Sequence, residues 1–550
     1  MDATYEEDAN RNKAASVYDS PNEPHAGASS SDVQTIAGAP VEKDNPLGHE
    51  VTLISAVMLN LGALLGPGIF AVSGVVLASV GSVGLLLSFW VLAPIFAYAA
   101  IMAYGELASM FPDRSGAEVV YLEQAYPRPR FFVPIAFAVT SVLLSFSGTS
   151  SVLFAQYVLT VFDTEITNGR QTALALCAVA FGAGVVGTST KWALRLVNIL
   201  TTFKILSLVF IAVTGIAVLS GLTRISDPYD NFHHIFSGST PHPNALATAL
   251  VKVNWAFYGW QNGFNVLSEI RSPRGPARTA RLAALLALAF VFVLFMLVNV
   301  AYVAAVPAED IKRSGELVAS LLFRNVYGDG LAAKLLPLMV ALSCIGNIIA
   351  ITVGQARVLR EVARQGLLPF PQLLSSTRPW GTPLGPVLVK LVLSACVIMA
   401  LPARDAFNFL LDLASYPHLI FNAATAVGVW VLRRRRREAG MPRAPLSASN
   451  IVLVVWLAQN VFSLVMPWVP PEDGKADVSF WYATYCVVGL CVLLACGAYY
   501  YLWIVLLPRW GGYEVVEEVV DLGGGARTGK LVRKYPSSTD ENAPLLGGSS

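Results

Sequence analysis

An all-α membrane protein is the fold class this sequence predicts, on three observations. Hydrophobic residues make up 55% of its 550 residues and charged residues only 13%, and the mean hydropathy is +0.57, well above what a soluble domain carries. The apolar residues come in long runs that do not alternate in polarity. Since a bilayer offers backbone groups no water, apolar runs of about 20 residues must be helices, whereas barrel strands would alternate. The runs are separated by charged or Pro/Gly-rich breaks, as spans separated by loops would be.

In chain order the runs predict twelve spans, near 51–78, 83–110, 131–160, 171–189, 194–220, 244–267, 277–306, 331–362, 383–402, 405–432, 448–470 and 478–507. Residues 1–50 hold Glu6, Glu7, Asp8, Arg11 and Lys13 among Ser, Ala and Pro, which predicts a disordered tail. Residues 51–507 are expected to form one twelve-helix membrane domain and 508–550 a second tail, disordered from Gly511 onward. An even number of spans puts both termini on one side. Arg114, Arg128, Arg130, Lys191, Arg195, Arg271, Arg274, Arg278, Arg281 and the run Arg433 to Arg437 all border that side, so both termini are predicted cytoplasmic.

Composition narrows the function classes. The net charge of +2, without a basic-aromatic surface pattern, gives no nucleic-acid partner. Cys177, Cys344, Cys396, Cys486, Cys491 and Cys496 all fall inside predicted spans, where they read as small core residues, with no metal site. No H-E-x-x-H, G-x-S-x-G or P-loop motif occurs, so neither an enzyme nor a cofactor is expected.

Two spans make poor continuous helices. The first contains Gly62-Ala63-Leu64-Leu65-Gly66-Pro67-Gly68, where Pro67 removes an N–H and the glycines ease unwinding. The sixth contains Trp255-Ala256-Phe257-Tyr258-Gly259-Trp260-Gln261-Asn262-Gly263. First and sixth are equivalent positions in two five-helix repeats, and paired interruptions of that kind point to a midplane binding site. Glycines that merely permit close helix packing are the plainer alternative. Unwinding exposes N–H groups on one half-helix and C=O groups on the other, each backed by a partial charge. An amino acid zwitterion needs both. Its carboxylate suits the N–H groups of Gly66 and Gly68, with Ala63, Leu64 and Leu65 around it, and its ammonium suits carbonyls of Leu64, Trp255 and Tyr258. Trp255, Phe257, Tyr258 and Asn262 would then shape the side-chain pocket, Trp255 as a gate.

Four segments carry a family resemblance: GPGIF at Gly66 to Phe70, YGELASMFPDRSGAEVVYLEQAY at Tyr104 to Tyr126, FYGWQN at Phe257 to Asn262 running into LSEIRSP at Leu267 to Pro273, and GQARVLREVARQGLLP at Gly354 to Pro369. In this order the chain resembles the amino acid–polyamine–organocation superfamily, its L-type amino acid transporter branch, and most closely the fungal high-affinity methionine permeases. The resemblance covers nearly the whole membrane region. It implies a 5+5 inverted-repeat fold with broken helices 1 and 6 plus two C-terminal helices, alternating access, and substrate held between the breaks. It also implies a sodium-independent permease of neutral L-amino acids, methionine or similar, in the plasma membrane. Leu267-Ser268-Glu269 resembles the fungal permeases, where animal relatives have Thr-Glu-Glu. Pro67 departs from the family's usual Ser or Thr and removes two possible donors to the carboxylate. Tyr258 stands where animal relatives have glycine, and the loop from Val161 to Arg170 lacks their cysteine, so no disulfide-linked heavy chain is expected.

Charges inside the spans supply the remaining candidates. The resemblance implies that Lys204 replaces a sodium ion near Gly62, and its proton could be the coupling ion; snorkelling to the interface is the alternative. Glu106 and Glu269 read as inner-gate or structural salt bridges, with Arg114 and Arg271 as partners, and Asp412 and His418 as polar contacts or a proton path. Proton symport and exchange both remain open, and a nutrient sensor with a transporter fold is the alternative function.

Overall fold

The computed structural model describes residues 51–534 apart from 113–116, 127, 130–131, 268–269, 329, 365, 403–404, 472–477 and 522–526. The predicted tail at 1–50 and the candidate Glu269 therefore lie outside the described residues.

The chain opens with α1 (Leu53–Leu64), capped by Thr52, whose Oγ1 accepts from the Ser55 N–H at 3.2 Å. Gly66 and Pro67 end it, because proline has no N–H to continue the ladder. The chain resumes as α2 (Gly68–Val80), bent 45° from α1. α3 (Val83–Met110) starts on Ser82, and a short α4 (Glu118–Ala125) follows. α5 (Phe132–Leu143) and α6 (Gly148–Val161) make up the next span, separated by a turn at Ser145 and Ser147. α7 (Asn168–Thr188) and α8 (Thr190–Leu219) complete the first half.

The second half begins with α9 (Pro243–Ala256), a non-helical stretch at 257–261, and the single turn α10 (Asn262–Asn265). α11 (Pro276–Ala305), the short α12 (Ala308–Ser314) and α13 (Val318–Tyr327), α14 (Leu331–Arg364) and α15 (Pro371–Ser375) follow. α16 (Leu384–Ala400), α17 (Ala406–Glu438), α18 (Asn450–Val465), α19 (Thr484–Tyr500) and α20 (Leu507–Gly511) complete the helices.

Among the described residues eight helices are long and apolar enough to cross a membrane, and nine if the bent pair α1–α2 counts as one span. The predicted spans at 244–267, 383–402 and 405–432 are also helical, but α9 is broken, α16 is short, and α17 carries Asn408, Asp412, His418 and Asn422. One large apolar core joins α1–α3, α9, α11 and α17. α6, α7, α8 and α14 pack against one another beside it.

Two expectations are corrected. The segment from Gly511 is not wholly disordered: β1 (Glu514–Asp521) and β2 (Arg527–Lys534) form an antiparallel hairpin with Glu514 opposite Lys534 and Glu518 opposite Lys530. The β-branched pairs Val515-Val516 and Val519-Val520 favour an extended strand, and Leu531 joins the apolar cluster of Leu367 and Leu368. The six cysteines are all free, but Cys177, Cys396 and Cys491 are exposed on the outside of the bundle, leaving Cys344, Cys486 and Cys496 as core residues.

Candidate functional site

The two helix breaks meet. Gly259 adopts φ +131°, and a Cβ on it would stand 2.7 Å from the Ala63 Cβ and 2.9 Å from the Ala63 carbonyl carbon and the Leu64 N. Only glycine lets the backbone of one break lie directly on the other. Gly68 does the same on the far side, where a Cβ would stand 3.0 Å from the Ala256 Cβ and 3.1 Å from a Trp255 ring carbon. At the other ends of these half-helices, Val51 and Ile270 form a parallel bridge. The broken segments thus run side by side in both halves.

Side chains hold the open backbone. The Gly259 N–H donates to the Gln261 Oε1 at 3.0 Å, and the Gly263 N–H donates across to the Asn60 Oδ1 at 2.9 Å. Asn60 is fully buried and its Nδ2 has no hydrogen-bond partner among the described residues. It is an amide that the sequence reading passed over, although its place in an otherwise apolar half-helix was the available signal. The first N–H groups of α2, from Gly68, have no intrahelical acceptor, and the last carbonyls of α1 and α9 have no intrahelical donor. Ala63 and Gly66 are half-buried, while Leu64, Leu65 and Gly68 are buried.

The aromatic residues divide between two environments. Trp255 is half-buried and meets Phe407 of α17 edge-on at 6.5 Å between centroids. Tyr258 is 42% exposed and faces the His418 ring at 5.9 Å, and Asn262 is half-buried. Phe257 points the other way, buried against Trp90 at 5.7 Å and Phe295 at 5.4 Å. Trp260 belongs to a cluster around Tyr104, 4.9 Å away, with Tyr121 and Phe264. The Tyr104 hydroxyl donates to the Glu118 Oε1 at 2.9 Å, and burial raises the Glu118 carboxyl above the ordinary carboxylate range. The surface hollows at Asn168 to Leu176 and at Phe232 to Ser237 are remote in sequence from both breaks and include none of these residues.

Three intramembrane charges have definite surroundings. Lys204 is 2% exposed on α8, its Cε 3.5 Å from where a Cβ on Gly346 would be. That burial excludes the snorkelling alternative, since a snorkelling lysine keeps its ammonium in water. Glu106 is also buried, and among the described residues its charged partner is Arg433; Arg114, the partner expected from the sequence, lies outside the described residues. The Arg433 Nε and Nη2 donate to the two Glu106 oxygens at 2.7 and 2.6 Å, and the Ala448 N–H adds a third bond at 2.7 Å. The third charge, Lys390 on α16, was not singled out from the sequence. Its Nζ donates to the Ser145 carbonyl at 2.5 Å, in the turn between α5 and α6, and to the Gln355 side chain.

Two broken half-helices laid against each other, each with open backbone groups in a multi-pass apolar bundle, define the class as a membrane permease. The sequence pattern of the amino acid permease family matches residues 51–492, and the chain belongs to that family. It is similar to the high-affinity methionine permease of Saccharomyces cerevisiae, 31% identical over 489 residues, covering 88% of this chain and 84% of that protein. The low-affinity methionine permease of the same yeast is 26% identical over 496 residues, covering 89% and 88%. The large neutral amino acids transporter small subunit 2 of Homo sapiens is 26% identical over 488 residues, covering 87% and 84%. The protein is thus an amino acid permease and not an enzyme.

Proposed function

We propose that this permease carries neutral L-amino acids, methionine foremost, without sodium, by alternating access through a twelve-span, 5+5 inverted-repeat bundle with both termini cytoplasmic. The observation that carries this reading is the crossing of Gly259 on Ala63 and Leu64, which brings two sets of open backbone groups to one place. The substrate carboxylate lies on the N–H groups of Gly66 and Gly68, with Ala63, Leu64 and Leu65 around it. Its ammonium lies on carbonyls of Leu64, Trp255 and Tyr258. Backbone recognition of this kind reads any α-amino acid, so selectivity falls to Trp255, Tyr258 and Asn262, with Phe257, packed against Trp90 and Phe295, acting only from behind them. The similarity to the two yeast methionine permeases favours methionine, and the plasma membrane is the proposed location. Glu269 is proposed as an inner-gate group and Glu106 as its structural counterpart, with no disulfide-linked heavy chain.

Lys204 supports sodium independence, because a buried ammonium facing α14 supplies a fixed cation where a mobile one would otherwise be needed. Lys204→Met is expected to cut uptake sharply; full uptake with an unchanged pH profile would remove Lys204 from the transport machinery. Trp255→Ala is expected to reduce uptake while the protein still elutes as a folded monodisperse species. Retained uptake would return Trp255 to plain packing against Phe407.

The decisive experiment is uptake of labelled methionine and leucine into proteoliposomes, with and without internal amino acid and with and without an inward proton gradient. Uptake driven by the gradient alone identifies symport, and uptake only against preloaded amino acid identifies exchange. No uptake in either arm would overturn the substrate assignment.

A further inference from the structure

The two breaks meet at Gly259, and a second junction lies one turn back along α1. Asn60, Ala63 and Leu64 share one face of that helix. Gly259 rests on Ala63 and Leu64, while the Asn60 Oδ1 accepts from the Gly263 N–H at 2.9 Å. Gly263 belongs to the turn α10, whose next two N–H groups, on Phe264 and Asn265, donate back to the Gln261 carbonyl at 2.9 and 3.1 Å. Asn60 therefore supplies, from another span, the acceptor that the first turn of a helix lacks. Gly263 lets the amide come close, since a Cβ on it would stand 3.4 Å from the Asn60 Nδ2 and 3.5 Å from its Oδ1.

Among the described residues the crossing has no such tie of its own. The Gly259 N–H is taken up by Gln261, and its carbonyl accepts from the Asn262 N–H at 3.3 Å, both within the same segment. Contact between Gly259 and Ala63 is therefore one of shape, and the tie next to it is the bond at Asn60. A further tie lies at the far end of α1, where the Arg271 N–H donates to the Val51 carbonyl at 3.2 Å beside the Val51–Ile270 bridge. Net stability is a weak account of Asn60. It is fully buried, and its Nδ2 has no partner among the described residues. An unsatisfied buried donor offsets what the satisfied acceptor gains. What the bond fixes is position, because it pins the start of α10 to the face of α1 on which Gly259 rests.

We propose that Asn60 is a positioning residue for transport: its bond to Gly263 holds the open backbone groups of the two breaks in register before the amino acid arrives, and so sets the affinity for it. The proposal rests on the permease reading and adds to it a residue that touches no substrate. Groups already in place need no ordering when a ligand binds, whereas groups that must be ordered subtract that cost from affinity. Without the bond, the stretch at 257–261 shifts along Ala63 and Leu64. The carbonyls of Trp255 and Tyr258 then lose their alignment with the N–H groups of Gly66 and Gly68. A bound amino acid, with its carboxylate on one break and its ammonium on the other, bridges the same two segments and takes over the tie. Loss of Asn60 is thus felt when substrate is scarce and largely disappears at saturation.

The test is labelled methionine uptake by the full chain in proteoliposomes over a range of methionine concentrations, with the amount of folded protein taken from the elution profile. Asn60→Leu fills the space but cannot accept from Gly263. It should raise KM about tenfold, the effect of one lost buried hydrogen bond, and leave maximal uptake per folded protein near the wild-type value. Asn60→Ala repeats the comparison without added side-chain bulk. Asn60→Asp keeps an accepting oxygen in the same place and should stay close to the wild-type KM. A purely structural role would move other quantities: folded yield and maximal uptake would fall with KM unchanged, or the variants would vanish from the folded peak. Either outcome would overturn the positioning role while leaving the permease reading intact. Wild-type KM in Asn60→Leu and Asn60→Ala, or an equal rise in Asn60→Asp and Asn60→Leu, would do the same. Wild-type protein that takes up no methionine would instead overturn the reading on which this proposal rests.

Discussion

Gly259→Val is expected to abolish uptake. At φ +131° a side chain costs about 1–3 kcal/mol of backbone strain, and that is the smaller part of the effect. Its Cβ would also fall 2.9 Å from the Ala63 carbonyl carbon and the Leu64 N, and backbone cannot move aside as a flexible side chain can. The two breaks must separate, and the open N–H and C=O groups no longer face one volume. The measurement is methionine uptake in proteoliposomes alongside elution profile as the check on folding. Gly66→Ala is the companion substitution, since the nearest atom to its Cβ is the Ala63 carbonyl oxygen at 3.8 Å; it should fold as the wild type does. Wild-type uptake by Gly259→Val would mean that the crossing is not the transport site.

The second large effect is on stability. Arg433→Leu leaves the Glu106 carboxylate buried with only the Ala448 N–H of its three contacts. Breaking a buried pair by removing one partner costs about 3–5 kcal/mol, and the 27% exposure of Arg433 places the expected loss near the low end of that range. The thermal midpoint in detergent should fall by several degrees, and Glu106→Gln combined with Arg433→Leu should recover part of it. An unchanged midpoint for Arg433→Leu would show that water or a neighbouring cation satisfies Glu106. Arg433 heads the run Arg433 to Arg437, which the sequence presents only as a mark of the cytoplasmic side. Its first residue instead reaches inward to tie α17 to α3, a partnership across 327 positions.

How much was legible differs from residue to residue. The breaks at Gly66-Pro67 and at Gly259 could be read directly, because glycine and proline act on their own backbone and need no distant partner to do so. The grouping of Trp255, Tyr258 and Asn262 near the break followed from their adjacency. The direction of each ring did not: Phe257 turns away to Trp90 and Phe295, Tyr258 turns to His418, and no spacing rule distinguishes neighbours in an unwound stretch. Lys252 and Lys390 escaped notice because a single charge hardly lowers the mean of a long apolar window. Their partners, Asp412, Ser145 and Gln355, are 160, 245 and 35 positions away. The strand pair within 514–534 was obscured by its setting after the last span, although Val515-Val516 and Val519-Val520 are ordinary strand formers.

The sequence by itself determined that this is a helical membrane protein, where its helices run, and where two of them must fail, because hydropathy and backbone chemistry are local properties that each segment carries alone. Tertiary structure decided that the two failures lie on one another, that Glu106 is neutralised by Arg433, that Lys204 is buried against α14, and that Lys252 is held by Asp412. Those outcomes depend on which distant side chain fills the space beside a buried charge. In a low-dielectric interior that choice is enforced by the cost of leaving the charge without a partner, and it can be made only once the helices have packed.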